Sequence, residues 1–410
     1  MCKRPYVASL AVAIALVGFI AAGCGDDEIG LFAGNPTPTP TNTPFPLSSA
    51  MLLQPGPAGV GVTTMTFVDT SRPTMRNGGF PGAPARTLIT EIWYPTAPDA
   101  TASEAEHRDA PPASSGGPFP LIIYSHGFLS TRFGGGYLAR HLATYGYVVA
   151  SPDFPLTFAA APGGANITDV ANQPGDVSFL ITQLLGLSAG SGNLFSGVLD
   201  PQRIGLTGLS LGGMTTYLAA FHPTLRDPRV RAAAPMAGPA CFFGQAFFDD
   251  RTVPLLILHG DLDAIVAYPQ NAVVAFQEGS PPKYLVTLLK GTHTGFSDFG
   301  TGTALFDRAT NADDIGCAAL SGTATGNPNL TDELGGPDAG IVMGDCPLPC
   351  TDPRPRPAAM KPSRQHQLAL LSVIPFFEAN FRANQRARQF LEQTLAAENS
   401  DVQVQLQTQP

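Results

Sequence analysis

Arg203-Ile204-Gly205-Leu206-Thr207-Gly208-Leu209-Ser210-Leu211-Gly212-Gly213 is the stretch on which the fold turns. Residues Arg203 to Thr207 read as a short buried strand, and Leu211 to Phe221 as a helix. Ser210 therefore stands at a sharp strand-to-helix turn, in a Gly-x-Ser-x-Gly pattern. Such a turn holds the serine in a strained backbone conformation, and the residues two positions away on either side must lack bulk. Gly208 and Gly212 meet that need, and Gly213 allows close helix–sheet packing. The turn lifts the hydroxyl clear of the sheet, and the first N–H groups of the helix point at negative charge developing beside it. Ser210 is the candidate nucleophile and the Leu211 N–H a candidate oxyanion donor.

Around this stretch strands and helices alternate. Strands are expected at Leu121 to Tyr124, Tyr147 to Ala150, Val230 to Pro235, Pro254 to Leu258 and Tyr284 to Leu289. Helices are expected at Gly136 to Tyr145, Val170 to Leu185 and Tyr268 to Phe276. That alternation predicts an α/β fold with a mostly parallel sheet flanked by helices. Val62 to Val68 and Leu88 to Trp93 alternate apolar and polar residues, as edge strands do. Gln365 to Leu395 reads as a closing helix, kinked or interrupted at Pro375.

A hydroxyl nucleophile needs a base and an acid. Asp263, in His259-Gly260-Asp261-Leu262-Asp263-Ala264-Ile265-Val266, follows the strand ending at Leu258 and so lies at the carboxyl edge of the sheet, where sites form. Asp261 is the competing acid. His293, in Gly291-Thr292-His293-Thr294-Gly295-Phe296, follows the last parallel strand and is the candidate base. The chain order Ser, Asp, His fits the elbow. Ser125-His126-Gly127-Phe128 follows the strand at Leu121 to Tyr124, where a second oxyanion donor is expected. Phe128 N–H is that candidate, with His126 ordering the loop. His259 is read as structural. Phe154, Phe242, Phe243, Phe247 and Phe248 are read either as pocket lining or as core.

Charged residues make up 13% of the 410, the formal net charge is −9, and no lysine lies between Lys3 and Lys283. This excludes a basic patch for nucleic acid. Lys3-Arg4 precedes an apolar run, Val7 to Ala22, too short for a membrane span. Residues 1–23 read as a signal peptide. Ala21-Ala22-Gly23-Cys24 resembles a bacterial lipoprotein signal, with Cys24 the lipidated new N-terminus; the alternative is an ordinary cleaved signal. Residues 24–60 read as a tether, with a Pro/Thr tract at Asn35 to Pro46 that favours extended geometry. Export to the periplasm or cell surface is expected, anchored to the membrane through lipid.

Cys241, Cys317, Cys346 and Cys350 then lie in an oxidising compartment. Two disulfides are expected, with all three pairings open. The catalytic domain is expected over 61–397, with a flexible tail at 398–410. Residues 298–362 are rich in Gly, Asp, Pro and Thr and read as a loop insertion stapled by disulfides. Its acids, Asp313, Asp314, Asp332, Glu333 and Asp338, lack the spacing of a calcium loop and read as solvated.

The stretches Thr90 to Pro95, Ser125 to Phe128, Gly208 to Gly212, Asp263-Ala264-Ile265 and Gly291-Thr292-His293 together resemble the α/β-hydrolase superfamily. Within it the sequence is similar to bacterial relatives of platelet-activating factor acetylhydrolase and to the dienelactone-hydrolase-like group that includes cutinases and polyester hydrolases. The resemblance implies carboxylic ester hydrolysis of the EC 3.1.1 type through an acyl-enzyme, with a small ester, lipid or polyester as substrate and no cofactor or metal. Serine replaces the cysteine of true dienelactone hydrolases, and the 298–362 insertion departs from the small cutinase pattern. A lipase, polyester hydrolase or phospholipid-directed acetylhydrolase is the alternative reading within enzymes. A non-catalytic lipoprotein binding module is the alternative outside them.

Overall fold

Phe119-Pro120-Leu121-Ile122-Ile123-Tyr124-Ser125 is apolar almost throughout, which a strand tolerates only when both faces are covered. In the computed structural model Leu121 and Ile123 pack into one buried cluster, while Ile122 and Tyr124 pack into another. The structure describes residues 45–46, 48–98, 104–249, 252–298, 300–321 and 329–409. The expected signal peptide, Cys24 and nearly all of the Pro/Thr tract lie outside them.

Ten strands form one sheet: β1 (Gly59–Asp69), β2 (Arg86–Thr96), β3 (Glu106–Arg108), β4 (Phe119–Ser125), β5 (Val148–Asp153), β6 (Leu199–Leu209), β7 (Val230–Met236), β8 (Leu255–Gly260), β9 (Lys283–Leu288) and β10 (Val402–Gln407). Their order is β10-β9-β8-β7-β6-β4-β5-β2-β1-β3. The run from β5 through β4, β6, β7 and β8 to β9 is parallel. β2 pairs antiparallel with both β5 and β1, and β10 pairs antiparallel with β9. Thus β1 and β2 are interior strands rather than edges, and β3 and β10 close the two sides.

Helices cover both faces. Gly136–Thr144 and Pro362–Phe381 pack on one side, and Gln173–Ala189 and Leu211–Phe221 on the other. Helix Pro362–Phe381 buries Leu368, Leu371, Ile374, Phe376 and Phe377, each contributing roughly 1.5–3 kcal/mol of transfer free energy. It continues through Pro375 without interruption. The interruption falls instead at Arg382 to Asn384, where Ala383 has φ 49° and Asn384 caps the next helix, Gln385–Gln389.

Three expectations need correction at the margins. The folded unit begins before residue 61: Leu52 of helix Ser49–Leu52 is fully buried, and Gly56 N–H donates to Thr144 Oγ1 at 2.8 Å. It also ends after residue 397, because β10 adds an edge strand where a flexible tail was expected; Val402 is buried and Gln403 exposed. The 298–362 segment is not structureless: it carries the helices Thr303–Phe306, Asp313–Leu320 and Leu330–Glu333. The cysteines pair as Cys241–Cys346 and Cys317–Cys350. Among the described residues, no helix is long and apolar enough to cross a membrane.

The chain crosses from β5 to the far side of β4 to form β6. The helix after β4 therefore packs on one face and the helix after β6 on the other. This reversal opens a crevice at the carboxyl ends of β4 and β6, the place where open α/β sheets bind ligands.

Candidate active site

Ser210 sits in that crevice with φ 59° and ψ −120°, a strained conformation for a residue with a Cβ. Its N–H donates to Met236 O at 2.9 Å, and its carbonyl accepts from Met214 N–H at 3.0 Å. The serine is thus fixed by β7 on one side and by its own helix on the other. The two glycines are explained by close approach. A Cβ on Gly208 would lie 2.5 Å from Gly212 O, and a Cβ on Gly212 would lie 1.9 Å from Ser125 O.

That second contact brings the β4 loop against the turn. A Cβ on Gly127 would stand 3.3 Å from Ser210 Cβ, so the Gly127-Phe128 peptide runs alongside the serine. His126 is fully buried; its Nδ1 donates to Gly127 O at 2.8 Å and its Nε2 accepts from Phe154 N–H at 3.1 Å. This pairing fixes one neutral tautomer, and burial lowers the imidazole pKa in the same sense. Ser130 N–H also donates to Gly127 O. In a trans peptide the N–H points opposite the carbonyl, so pinning Gly127 O fixes the direction of Phe128 N–H. Among the described hydrogen bonds, neither Phe128 N–H nor Leu211 N–H donates to a protein acceptor. Leu211 is the first residue of its helix, where an N–H has no intrahelical partner.

Asp263 and His293 meet at the ends of β8 and β9. His293 Nδ1–H donates to Asp263 Oδ2 at 2.8 Å, which leaves Nε2 as the basic nitrogen. Asp263 Oδ1 accepts from Ile265 and Val266 N–H, locking the carboxylate in its own loop. Burial by itself raises the Asp263 carboxyl, but the charge of His293 and hydrogen bonds from His259 and His293 outweigh it and hold it well below the usual range. Burial likewise lowers His293, yet the Asp263 charge and hydrogen bond, joined by the Asp313 charge, raise it above its ordinary value. Asp261 is exposed and accepts the Lys290 N–H, away from the imidazole.

Asp263 and His293 are therefore brought together, and Ser210, Phe128 and Leu211 are brought together. A hydrogen bond between Ser210 Oγ and His293 Nε2 is not among those formed by the described residues. Such bonds are often long in free enzymes and tighten with substrate bound.

Three residues support the pair: His259, which the sequence reads as structural, Asp313, which it reads as solvated, and Gln365, to which it gives no role. His259, fully buried, brings Nε2 to 3.1 Å from Asp263 Oδ2 and 2.8 Å from Val266 O. Gln365, on the closing helix, accepts from Thr292 N–H at 3.0 Å and donates to Thr292 O at 2.6 Å, gripping the loop that carries His293 from both sides. Asp313, expected in solvent, is fully buried beside His293. No spacing signal marks Gln365 or Asp313; both act across long sequence gaps. Phe243, Phe247 and Phe248 pack on Tyr217 and Phe221 as core, with Phe243 and Phe247 stacked at 4.0 Å. Phe154 packs against the His126 ring, and Phe242 is half-buried. Among the described residues, no group of three or more His, Cys, Asp or Glu side chains is placed to hold a metal ion.

No protein-family model and no curated protein matches this sequence. In fold the chain is similar to the solved structure of a ferulic acid esterase from Streptomyces cinnamoneus. The TM-score is 0.55 and the identity 21%, over 86% of this chain and 98% of that one.

Proposed function

We propose that the chain is a serine hydrolase of the α/β-hydrolase fold that cleaves carboxylic esters through an acyl-enzyme. One observation carries the reading: a strained Ser210 opens a helix at the same sheet edge that holds a buried Asp263–His293 pair. Likeness in fold to a ferulic acid esterase supports an ester as substrate. The resemblance to acetylhydrolase-like and cutinase-like esterases agrees with it.

In this reading Ser210 Oγ attacks the ester carbonyl while His293 Nε2 accepts its proton. The carbonyl oxygen takes up the negative charge and is held by Phe128 and Leu211 N–H. Each such donor typically accounts for about 10²–10³ in rate. The tetrahedral intermediate collapses, the ester C–O bond breaks, and His293 returns the proton to the leaving alcohol. Water, deprotonated by His293, then attacks the acyl group and frees Ser210. Asp263 keeps the imidazole in its Nδ1–H tautomer and stabilises the imidazolium.

A lipid or polyester substrate is the second reading, favoured by Leu305, Val342, Met343 and Leu348, all apolar and all exposed on the inserted segment. The strap bearing the last three is tied to the loops after β7 and β8, through Val342 N–H to Phe242 O and Cys350 N–H to Ala264 O. Activity on p-nitrophenyl esters confined to acetate and butyrate refutes this second reading.

The two disulfides point to an oxidising compartment. With the signal-like residues 1–23, we read the protein as exported and lipid-anchored at Cys24. Fluorophosphonate labelling tests the central proposal: the wild type labels, and Ser210→Ala does not. An unlabelled wild type, or equal labelling of both, refutes it and favours a non-catalytic binding module.

A further inference from the structure

Among the described residues, Asp313 is the one carboxylate that the inserted segment sends into the protein interior beside the Asp263–His293 pair. It opens helix Asp313–Leu320 and is fully buried. Its Oδ2 accepts from Ala264 N–H at 2.9 Å and from His293 N–H at 3.1 Å, and its Oδ1 accepts from Thr294 N–H at 2.7 Å. Ala264 directly follows the acid Asp263, and Thr294 directly follows the base. A single side chain therefore bridges the loop that carries the acid and the loop that carries the base. Asn311 Oδ1 accepts from Asp313 N–H at 2.9 Å and sets its backbone.

The same loop is held from its other side. Ala264 O accepts from Cys350 N–H at 2.7 Å, and Cys350 is joined by a disulfide to Cys317, which lies on the helix that Asp313 opens. The disulfide thus links the two grips on Ala264, one on its N–H and one on its carbonyl. The next residue, Asp314, faces outward to Arg356 and Arg354, so neither arginine supplies Asp313 with a counter-charge. The titratable groups that face Asp313 are Asp263 and His293. Burial and the Asp263 charge raise its carboxyl pKa, while His293 and the backbone donors oppose them.

We infer that Asp313 is a positioning residue for the Asp263–His293 pair: it holds the two loops in register and adds a second negative charge beside the imidazole. The proposal rests on the serine hydrolase reading. Its logic is economy of donors: three backbone N–H groups that would otherwise be buried without partners converge on one carboxylate, and a carboxylate is the side chain that can accept all three. An asparagine in its place has one acceptor oxygen and turns an NH₂ toward at least one of those donors.

The test is the variant Asp313→Asn, compared with wild type in kcat, KM and the pH profile of kcat/KM. Wild-type labelling by fluorophosphonate comes first: an unlabelled wild type overturns the hydrolase reading and this proposal with it, whereas with a labelled wild type the variant tests this proposal alone. In Asp313→Asn, kcat falls by about 10- to 100-fold with KM little changed, since misplacement of reacting groups by about 1 Å has effects of this size. The acid limb of the profile moves down by about one pH unit, because a negative charge near the imidazole is gone. A folded Asp313→Asn with kcat within twofold of wild type and an unmoved limb overturns the proposal. Cys317→Ser/Cys350→Ser covers the case in which Asp313→Asn does not fold. It keeps every charge and frees the helix from the strap, so kcat falls several-fold and the limb stays in place. Unchanged kcat in that variant overturns the proposal as well.

Discussion

Replacing Gly212 by alanine adds one methyl group at the tightest point of the site. That Cβ would lie 1.9 Å from Ser125 O, 2.4 Å from Ser125 C and 2.8 Å from His126 O. All three are backbone atoms, so no side chain can swing away. To bring 1.9 Å up to the 3.0 Å that real Cβ contacts respect, the β4 loop or the start of helix Leu211–Phe221 must retreat by about 1 Å. On the proposed reading the first movement carries Phe128 N–H away from the oxyanion, and the second carries Leu211 N–H and Ser210 with it. A donor that belongs near 2.9 Å no longer bonds when it stands about 1 Å farther off. The expected loss is that of one oxyanion donor, about 10²–10³ in kcat, or roughly 2.7–4 kcal/mol of transition-state stabilisation. KM changes little, because the contact matures only in the transition state. Steady-state kinetics on p-nitrophenyl acetate measure both constants, with circular dichroism to show that the variant is folded. Gly186→Ala is the control: it lies in helix Gln173–Ala189 with nothing within 4 Å of a new Cβ, so activity is retained and stability rises by about 0.5–1 kcal/mol. A folded Gly212→Ala enzyme with kcat within threefold of wild type refutes the reasoning.

Asp263→Asn lowers kcat by about 10⁴, while Asp261→Asn stays within a few-fold, since only Asp263 orients the imidazole; the reverse order in kinetics assigns the acid to Asp261. On the proposed reading neutral His293 is the base, and with its pKa raised kcat/KM falls as pH drops through a midpoint above 6.5. A midpoint at or below 6.5 contradicts that environment. The disulfide Cys241–Cys346 spans 105 residues and Cys317–Cys350 spans 33, so its removal costs more stability, by about 1 kcal/mol in loop-closure entropy. Denaturant unfolding of the two double-serine variants measures the difference.

The strand–turn–helix at Ser210 was legible because every level agreed there. The strand is buried from Ile204 to Leu209, the glycines sit where backbones touch, and the helix Leu211–Phe221 has the bounds the sequence predicts. The loops that carry Asp263 and His293 were legible for the same reason: both follow buried parallel strands and so must lie at one edge. The inserted segment was not legible. Its glycines and prolines carry no period, and its order comes from two disulfides and from contacts to distant loops. Asp313 shows why composition misleads there. An aspartate in an acidic stretch reads as solvated, and only the fold reveals three N–H groups waiting for it. β10 fails differently. Val402-Gln403-Val404-Gln405-Leu406-Gln407 does alternate, but an edge strand with one buried residue has little apolar signal to separate it from a tail. Pro375 was expected to kink or interrupt its helix, yet the helix is uninterrupted, held by the buried side chains on both sides of the proline.

Gln365 binds both the N–H and the carbonyl of Thr292 from a position 73 residues farther along the chain. During synthesis this distance becomes a delay. Ser210, Asp263 and His293 are all polymerised before Asp313 and Gln365 exist to hold the His293 loop. A nascent chain stopped before residue 313 carries the three candidate reacting groups without either fastener. On the proposed reading, competence arrives with the docking of helix Pro362–Phe381.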